Sequence, residues 1–170
     1  MKKAIGLLSV ITALSLILIM FAACSEKSNT LDGDIYTMAQ NITSKLDFGG
    51  AHILSDKDDG AEFALMFQYG VEDDSVLDAI SGYVITAPEA NSAKTVAIIT
   101  FKDGTDASVI EGVKQTITDV YLANLIETTA TYNVDEAKIA DSATFKLYDN
   151  ALVLAAYDTD GNSQVFDLLK

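Results

Sequence analysis

Residues 95–101 read TVAIITF, and the reading of this stretch decides the fold. It carries no charge, and five of its seven residues are β-branched, which marks a strand. Apolar residues stand at both odd and even positions, so the strand is expected to lie centrally in its sheet. Just upstream, VLDAISGYVIT (residues 76–86) becomes β-branched and aromatic toward its end, and its latter part reads as a second strand. The intervening stretch from Ala87 to Ala93 contains Pro88, Asn91 and Ser92 and reads as a connection. Downstream, Thr144–Tyr148 and Ala151–Tyr157 read as a hairpin around Asp149-Asn150.

Helical periodicity fills the rest. From Asp106 to Glu127, Ile110, Val113, Ile117, Val120, Tyr121 and Leu125 make one stripe, with Asp106 as cap. Asp34 to Leu46 places Ile35, Met38, Ala39, Ile42 and Leu46 on one face, behind an Asp34 cap and before Gly49-Gly50. Asp59 to Tyr69 predicts a shorter helix with Phe63, Met66 and Phe67 as its apolar face, Asp59 and Glu62 at capping-box spacing and Gly70 as its stop. Val71 to Ser75 reads as an acidic turn, Asn133 to Ala140 as a helical turn, and Ser163 to Leu169 as a closing helix. Short connections between adjacent strands favour antiparallel pairing. The expected fold is α+β: a small, mainly antiparallel sheet of about four strands, one long helix packed on a face, and two or three shorter helices.

Charge excludes some partners. The chain has 170 residues and a formal net charge of −14; its 11 basic residues are all lysine. Without arginine, the usual bidentate clamp for phosphate, and with this charge, nucleic acid is not an expected partner. Anionic lipid head groups should be repelled in the same way. A basic protein is electrostatically allowed.

The first residues carry an address. Lys2 and Lys3 precede an uncharged stretch from Ala4 to Ala23, the pattern of an export signal, although twenty apolar residues also suffice for a membrane span. The segment ends in FAAC, residues 21–24, and Cys24 is the only cysteine. FAAC resembles the lipobox of bacterial lipoproteins, with Ala22 and Ala23 at the small positions and Phe21 where leucine is usual. That resemblance implies a diacylglyceryl group on the Cys24 sulfur, cleavage just before it, and a domain on the extracytoplasmic side of the cell membrane; the alternative is a retained span. The divisions expected are a signal peptide over 1–23, a polar tether over 24–33 and a single α+β domain over 34–170. Two acyl chains anchor durably where one does not, because each buried methylene contributes about 0.8 kcal/mol.

The order of segments points to a family. LMFQYGVEDDSVLDAISGYVITAP, then AKTVAIITFKD, then the long helix, then TYNVDEAKIADSATFKLYDNALVLAAYD, resembles a family of bacterial lipoproteins catalogued as domain of unknown function 4358. The resemblance covers residues 34–169. It rests on Tyr69-Gly70-Val71, the strand from Thr95 to Phe101, Tyr132, and Asn150 opening an apolar strand. This chain has Lys94-Thr95 where the family pattern has an acidic residue. The resemblance agrees with the lipobox and implies no catalytic residue.

Candidate chemistry is sparse. His52 is the only histidine; a Ser-His-Asp arrangement would need it as base with Ser55 or Ser81 as nucleophile, and no Gly-x-Ser-x-Gly turn surrounds either. Zinc, copper and iron need several His or Cys ligands. Calcium needs only oxygens, and Asp56-Lys57-Asp58-Asp59-Gly60 and Asp158-Thr159-Asp160-Gly161 echo the start of a calcium loop. They make Asp56, Asp58, Asp158 and Asp160 weak metal candidates, since Phe67 and Leu169 stand where the twelfth-position Glu belongs. No cofactor is expected. The reading that results is a lipid-anchored binding or accessory envelope domain with a protein partner and no catalytic role. The alternatives are a small carboxylate-based envelope hydrolase and a solute-binding lipoprotein.

Overall fold

The computed structural model describes residues 29–88, 92–160 and 162–169. The expectations for the signal segment and for Cys24 fall outside these residues. Thr95–Phe101 is the third strand, β3, and it lies at the centre of the sheet. The others are β1 (His52–Ser55), β2 (Ile80–Ala87), β4 (Thr144–Leu147) and β5 (Ala151–Ala156). Their order is β1-β2-β3-β5-β4, with every neighbouring pair antiparallel. The sheet has five strands rather than the four expected. The extra one is β1, four residues at an edge, reading His-Ile-Leu-Ser with too little alternation to announce itself.

Side chains alternate across β3. Ala97, Ile99 and Phe101 turn toward one core with Ile110, Val113, Ile117 and Tyr121. Val96 and Ile98 turn toward the other with Ile42, Phe48, Val165 and Leu169. Each such aliphatic side chain contributes about 1.5–3 kcal/mol when fully buried. Helices therefore cover both faces, the long one packing on the first as expected. The first face carries α2 (α-helical over Ala61–Phe63, π-helical over Ala64–Gln68) and the long helix α4 (Ala107–Ile117, Thr118–Leu122 and Ala123–Tyr132). The second carries α1 (Ile35–Lys45) and α6 (Asn162–Asp167). Two further short helices, α3 (Asp74–Ala79) and α5 (Val134–Asp141), complete the domain.

The long helix α4 runs 26 residues through Ala107–Ile117, a π-helical turn over Thr118–Leu122, and Ala123–Tyr132. Asp106 caps it by accepting from the Ser108 backbone N–H at 2.8 Å. Asp34 caps α1 in the same way through Thr37. Three local expectations are corrected. The capping box at Asp59 is not formed, because α2 starts after Gly60, which is left-handed at φ +87° and offers no side chain. Residues 74–79, expected partly as turn, are the helix α3, capped by Asp73. The inner face of α2 is Ala61, Ala64, Leu65 and Tyr69, so Phe63 and Phe67 point outward, 58% and 60% exposed.

The chain is already packed before α1. Leu31 is buried, and residues 29–31 lie along the β4–β5 turn: Asn29 donates its backbone N–H to Asp149 Oδ2 at 2.8 Å, and its side-chain amide to the Leu147 carbonyl at 3.1 Å. This turn stands at the end of the sheet where Ile80 pairs with Phe101 and Thr100 with Ala151.

Candidate functional site

At the same end of the sheet β1 stops short. Its last partner pair is Ser55 with Val84, and the Asp56 N–H still donates to the Tyr83 carbonyl at 3.0 Å, while β2 reaches back to Ile80, so residues 80–82 run on without β1 beside them. An extra residue at Ser81 bulges β2 there. The gap is an open cleft of about 700 Å³ on the α1 side of the sheet. It lies between the Gly33–Tyr36 segment, the Ser55–Asp58 turn, and the strand residues Ser81, Gly82 and Thr100.

The cleft gathers four of the residues singled out from the sequence: Ser55, Asp56, Asp58 and Ser81. Their hydroxyls are already committed. Ser55 Oγ donates to Asp58 Oδ2 at 2.8 Å, and the same oxygen accepts the Ser55 backbone N–H at 2.7 Å. These two bonds, the backbone one foremost, hold the Asp58 carboxyl below the ordinary carboxylate range. Ser81 Oγ donates to Thr100 Oγ1 at 3.0 Å, which in turn donates to the Gly82 carbonyl at 2.9 Å. Asp34, at the rim, takes both the backbone N–H and the hydroxyl of Thr37. Of the cleft's aspartates, Asp34, Asp56 and Asp58, only Asp56 makes no side-chain hydrogen bond or ion pair to the described residues.

His52 is not part of this group. It is exposed at the opposite end of β1, paired with Ala87, and three residues from Ser55, an odd spacing that puts the two side chains on opposite faces of the strand. No histidine base therefore stands beside Ser55. Every described carboxylate that departs from its ordinary range is shifted down, by hydrogen bonds at Asp34, Asp58, Asp73 and Asp106, and by a bond to Lys138 and its charge at Asp135. A carboxyl held protonated for acid catalysis would be shifted up.

Asp158 and Asp160 lie beyond the other end of β5 and are exposed. That turn is organised by Asn162, which accepts the Tyr157 N–H at 2.8 Å and donates to the Ser142 carbonyl at 2.7 Å. The two aspartate pairs are thus separated by the length of the sheet. Among the described residues no three His, Cys, Asp or Glu side chains are grouped to hold a metal.

Two aromatic features were not legible in the sequence. Phe63 and Phe67 stack on each other at 4.6 Å on the outer surface of α2. Tyr69 and Tyr121 stack at 4.1 Å, nearly parallel, beneath the two π-helical turns. Their i,i+4 spacing could have paired the phenylalanines, but only the burial of Ala61, Ala64 and Leu65 shows that they face water. No protein-family model, curated protein or solved structure matches this chain.

Proposed function

We propose that this chain is a lipid-anchored, extracytoplasmic binding domain of the kind the lipobox and the resemblance to the domain of unknown function 4358 imply. In this reading Cys24 carries the lipid and the cleft beside β2 receives a protein partner. One observation carries the choice of binding over catalysis: the cleft is open and polar, yet each of its serine hydroxyls is spent on a structural hydrogen bond. Among the described residues every shifted carboxyl is shifted down, which does not favour the hydrolase reading, and they form one five-stranded sheet without a second lobe to close over a solute.

The position of residue 29 gives the reading a geometry. With Asn29 pinned to the β4–β5 turn, five residues from position 24 remain as tether, and they reach at most about 18 Å. The cleft opens at that same end of the sheet, so an anchor at Cys24 would keep it within a short distance of the bilayer.

A photo-crosslinking amino acid at Ser81, in the full chain in its own membrane, tests this. The expected result is a discrete protein adduct that is absent when the crosslinker replaces Glu127 on the far helix. Equal adducts at both positions, or none at Ser81, would contradict the binding role.

A further inference from the structure

The cleft beside β2 and the point where the chain enters the domain belong to one packed end. Asn29 is pinned to the β4–β5 turn by three bonds: its N–H to Asp149 Oδ2 at 2.8 Å, its side-chain amide to the Leu147 carbonyl at 3.1 Å, and its own carbonyl accepting the Asp149 N–H at 3.0 Å. Leu31 is held by Asn150 and buried in the second core. Gly33, two residues on, is already cleft wall, and Asp34 to Tyr36 continue it. The floor is tied to the same turn. Phe101 donates its N–H to the Asn150 carbonyl at 2.9 Å, and Thr100 beside it pairs with Ala151 on one side and Gly82 on the other. Gly82 therefore stands two strand spacings, roughly 10 Å, from the strand that leaves the turn.

This limits how far the cleft can stand from a lipid on Cys24. Gly33 is nine positions after Cys24, so the cleft wall lies within about 32 Å of the attachment sulfur even with the chain fully extended. That is less than the thickness of one bilayer with its head groups, roughly 40–45 Å. Charge disfavours the two occupants nearest at hand. Asp34, Asp56 and Asp58 line the cleft against Lys57 alone, and the whole chain carries −14, so anionic head groups are repelled. A second copy brings the same charge to the same wall.

The cleft itself has little to offer a partner free in solution. It is open, and its serine hydroxyls are spent on structural bonds, so few groups are left to offset the cost of association. A partner confined to the same shallow layer needs less, because confinement raises its effective concentration without any new contact. We propose that the cleft takes a segment of another protein held in the same membrane, a segment lying within about 32 Å of the bilayer surface. This rests on the lipid anchor and the binding reading above, and it names where the partner is held.

The test lengthens the tether of the full chain and leaves every residue from Asn29 onward in place, apart from the photo-crosslinking amino acid at Ser81. A stiff proline-rich spacer of twenty residues between Ser28 and Asn29 moves the cleft about 60 Å outward. A Gly-Ser spacer of four residues adds at most about 14 Å. The Ser81 adduct should be a protein that stays with the membrane through an alkaline wash. Its yield should hold within about twofold with the short spacer and fall about fivefold or more with the long one. Thermal unfolding midpoints equal to the parent's establish that the spacers spare the fold. If the proline-rich chain melts early, a helical Glu-Ala-Ala-Ala-Lys repeat of forty residues gives the same separation of about 60 Å. An adduct undiminished by the long spacer means a partner from the extracytoplasmic space, which overturns this inference and leaves the binding reading standing. An adduct to lipid, or to a second copy of the chain, overturns it too. No adduct at any tether length sinks the binding reading along with it.

Discussion

Asn150 holds Leu31 with both ends of its side-chain amide. Its Oδ1 accepts the Leu31 N–H at 2.8 Å, and its Nδ2 donates to the Leu31 carbonyl at 3.1 Å. A side chain thus pairs with a backbone segment as a strand would, across 119 positions of sequence. The clamp fixes where the chain enters the domain and brings Leu31 into the second core.

Asn150→Ala should therefore lower stability by about 1–3 kcal/mol, because it strands two partly buried backbone groups. Asn150→Asp should be no better, since it keeps the acceptor but sets a carboxylate against the Leu31 carbonyl. Urea unfolding of both variants checks this. A loss below a few tenths of a kcal/mol would show that the clamp does not hold.

Gly70 ends α2 in the left-handed region at φ +77°, and a Cβ there would lie 2.8–3.0 Å from the side chain of Val120 on the long helix. Gly70→Ala should cost the left-handed penalty of about 1–2 kcal/mol plus the clash. Adding Val120→Ala should recover the clash and leave the backbone penalty. A double-mutant cycle reads the coupling; strict additivity would contradict the contact.

The stacked tyrosines make opposite predictions. Thr95 Oγ1 spends its proton on the Thr86 carbonyl at 2.9 Å, so at 3.2 Å it can only accept from the Tyr69 hydroxyl. Tyr69→Phe should cost about 0.5–1.5 kcal/mol. The Tyr121 hydroxyl is buried without a partner within hydrogen-bonding geometry, although it lies near the same group. Tyr121→Phe should therefore be neutral or stabilising. Equal losses for the two variants would contradict this assignment.

The same groups set the pH range. Burial, then the neighbouring Tyr121, raises Tyr69 well above 10.0, and burial likewise raises Tyr121. The folded chain holds these protons more tightly than the unfolded chain, so their contribution is complete below pH 10.0 and is lost as pH rises above it. The capping aspartates are shifted down from 3.8, so what they contribute is complete above that value and is lost as pH falls below it. Unfolding followed from pH 3 to pH 11 should show losses at both ends, with Tyr69→Phe flattening the alkaline one. An unchanged alkaline loss in that variant would contradict the origin assigned to it.

Sequence made some of this fold legible and hid the rest for physical reasons. TVAIITF announced a central strand because uncharged, β-branched residues stand at both its odd and its even positions. The long helix announced itself through a stripe from Ile110 to Leu125. The stripe of α1 was equally plain, but a stripe does not say which face of a sheet it will meet, so the second layer went unread. β1 is too short to carry a period. The segment of α2 offers two apolar stripes, and Ala61, Ala64, Leu65 and Tyr69 are the buried one, which leaves Phe63 and Phe67 outside; periodicity alone does not choose between them. The cleft was half visible: Ser55, Asp56, Asp58 and Ser81 were noticed singly, but their convergence depends on β1 ending at Ser55, opposite Val84, a pairing no local pattern encodes. Leu31 looked like tether because its partner is a side chain far along the chain.

The anchor at Cys24 is the claim on which location, reach and orientation all depend. Intact mass of the full chain purified from the membranes of a bacterial host tests it directly. The account predicts a mature chain beginning at Cys24 with a diacylglyceryl addition, and loss of both the cleavage and the addition in Cys24→Ala. An unmodified, full-length mass, or processing that continues unchanged in Cys24→Ala, would contradict it.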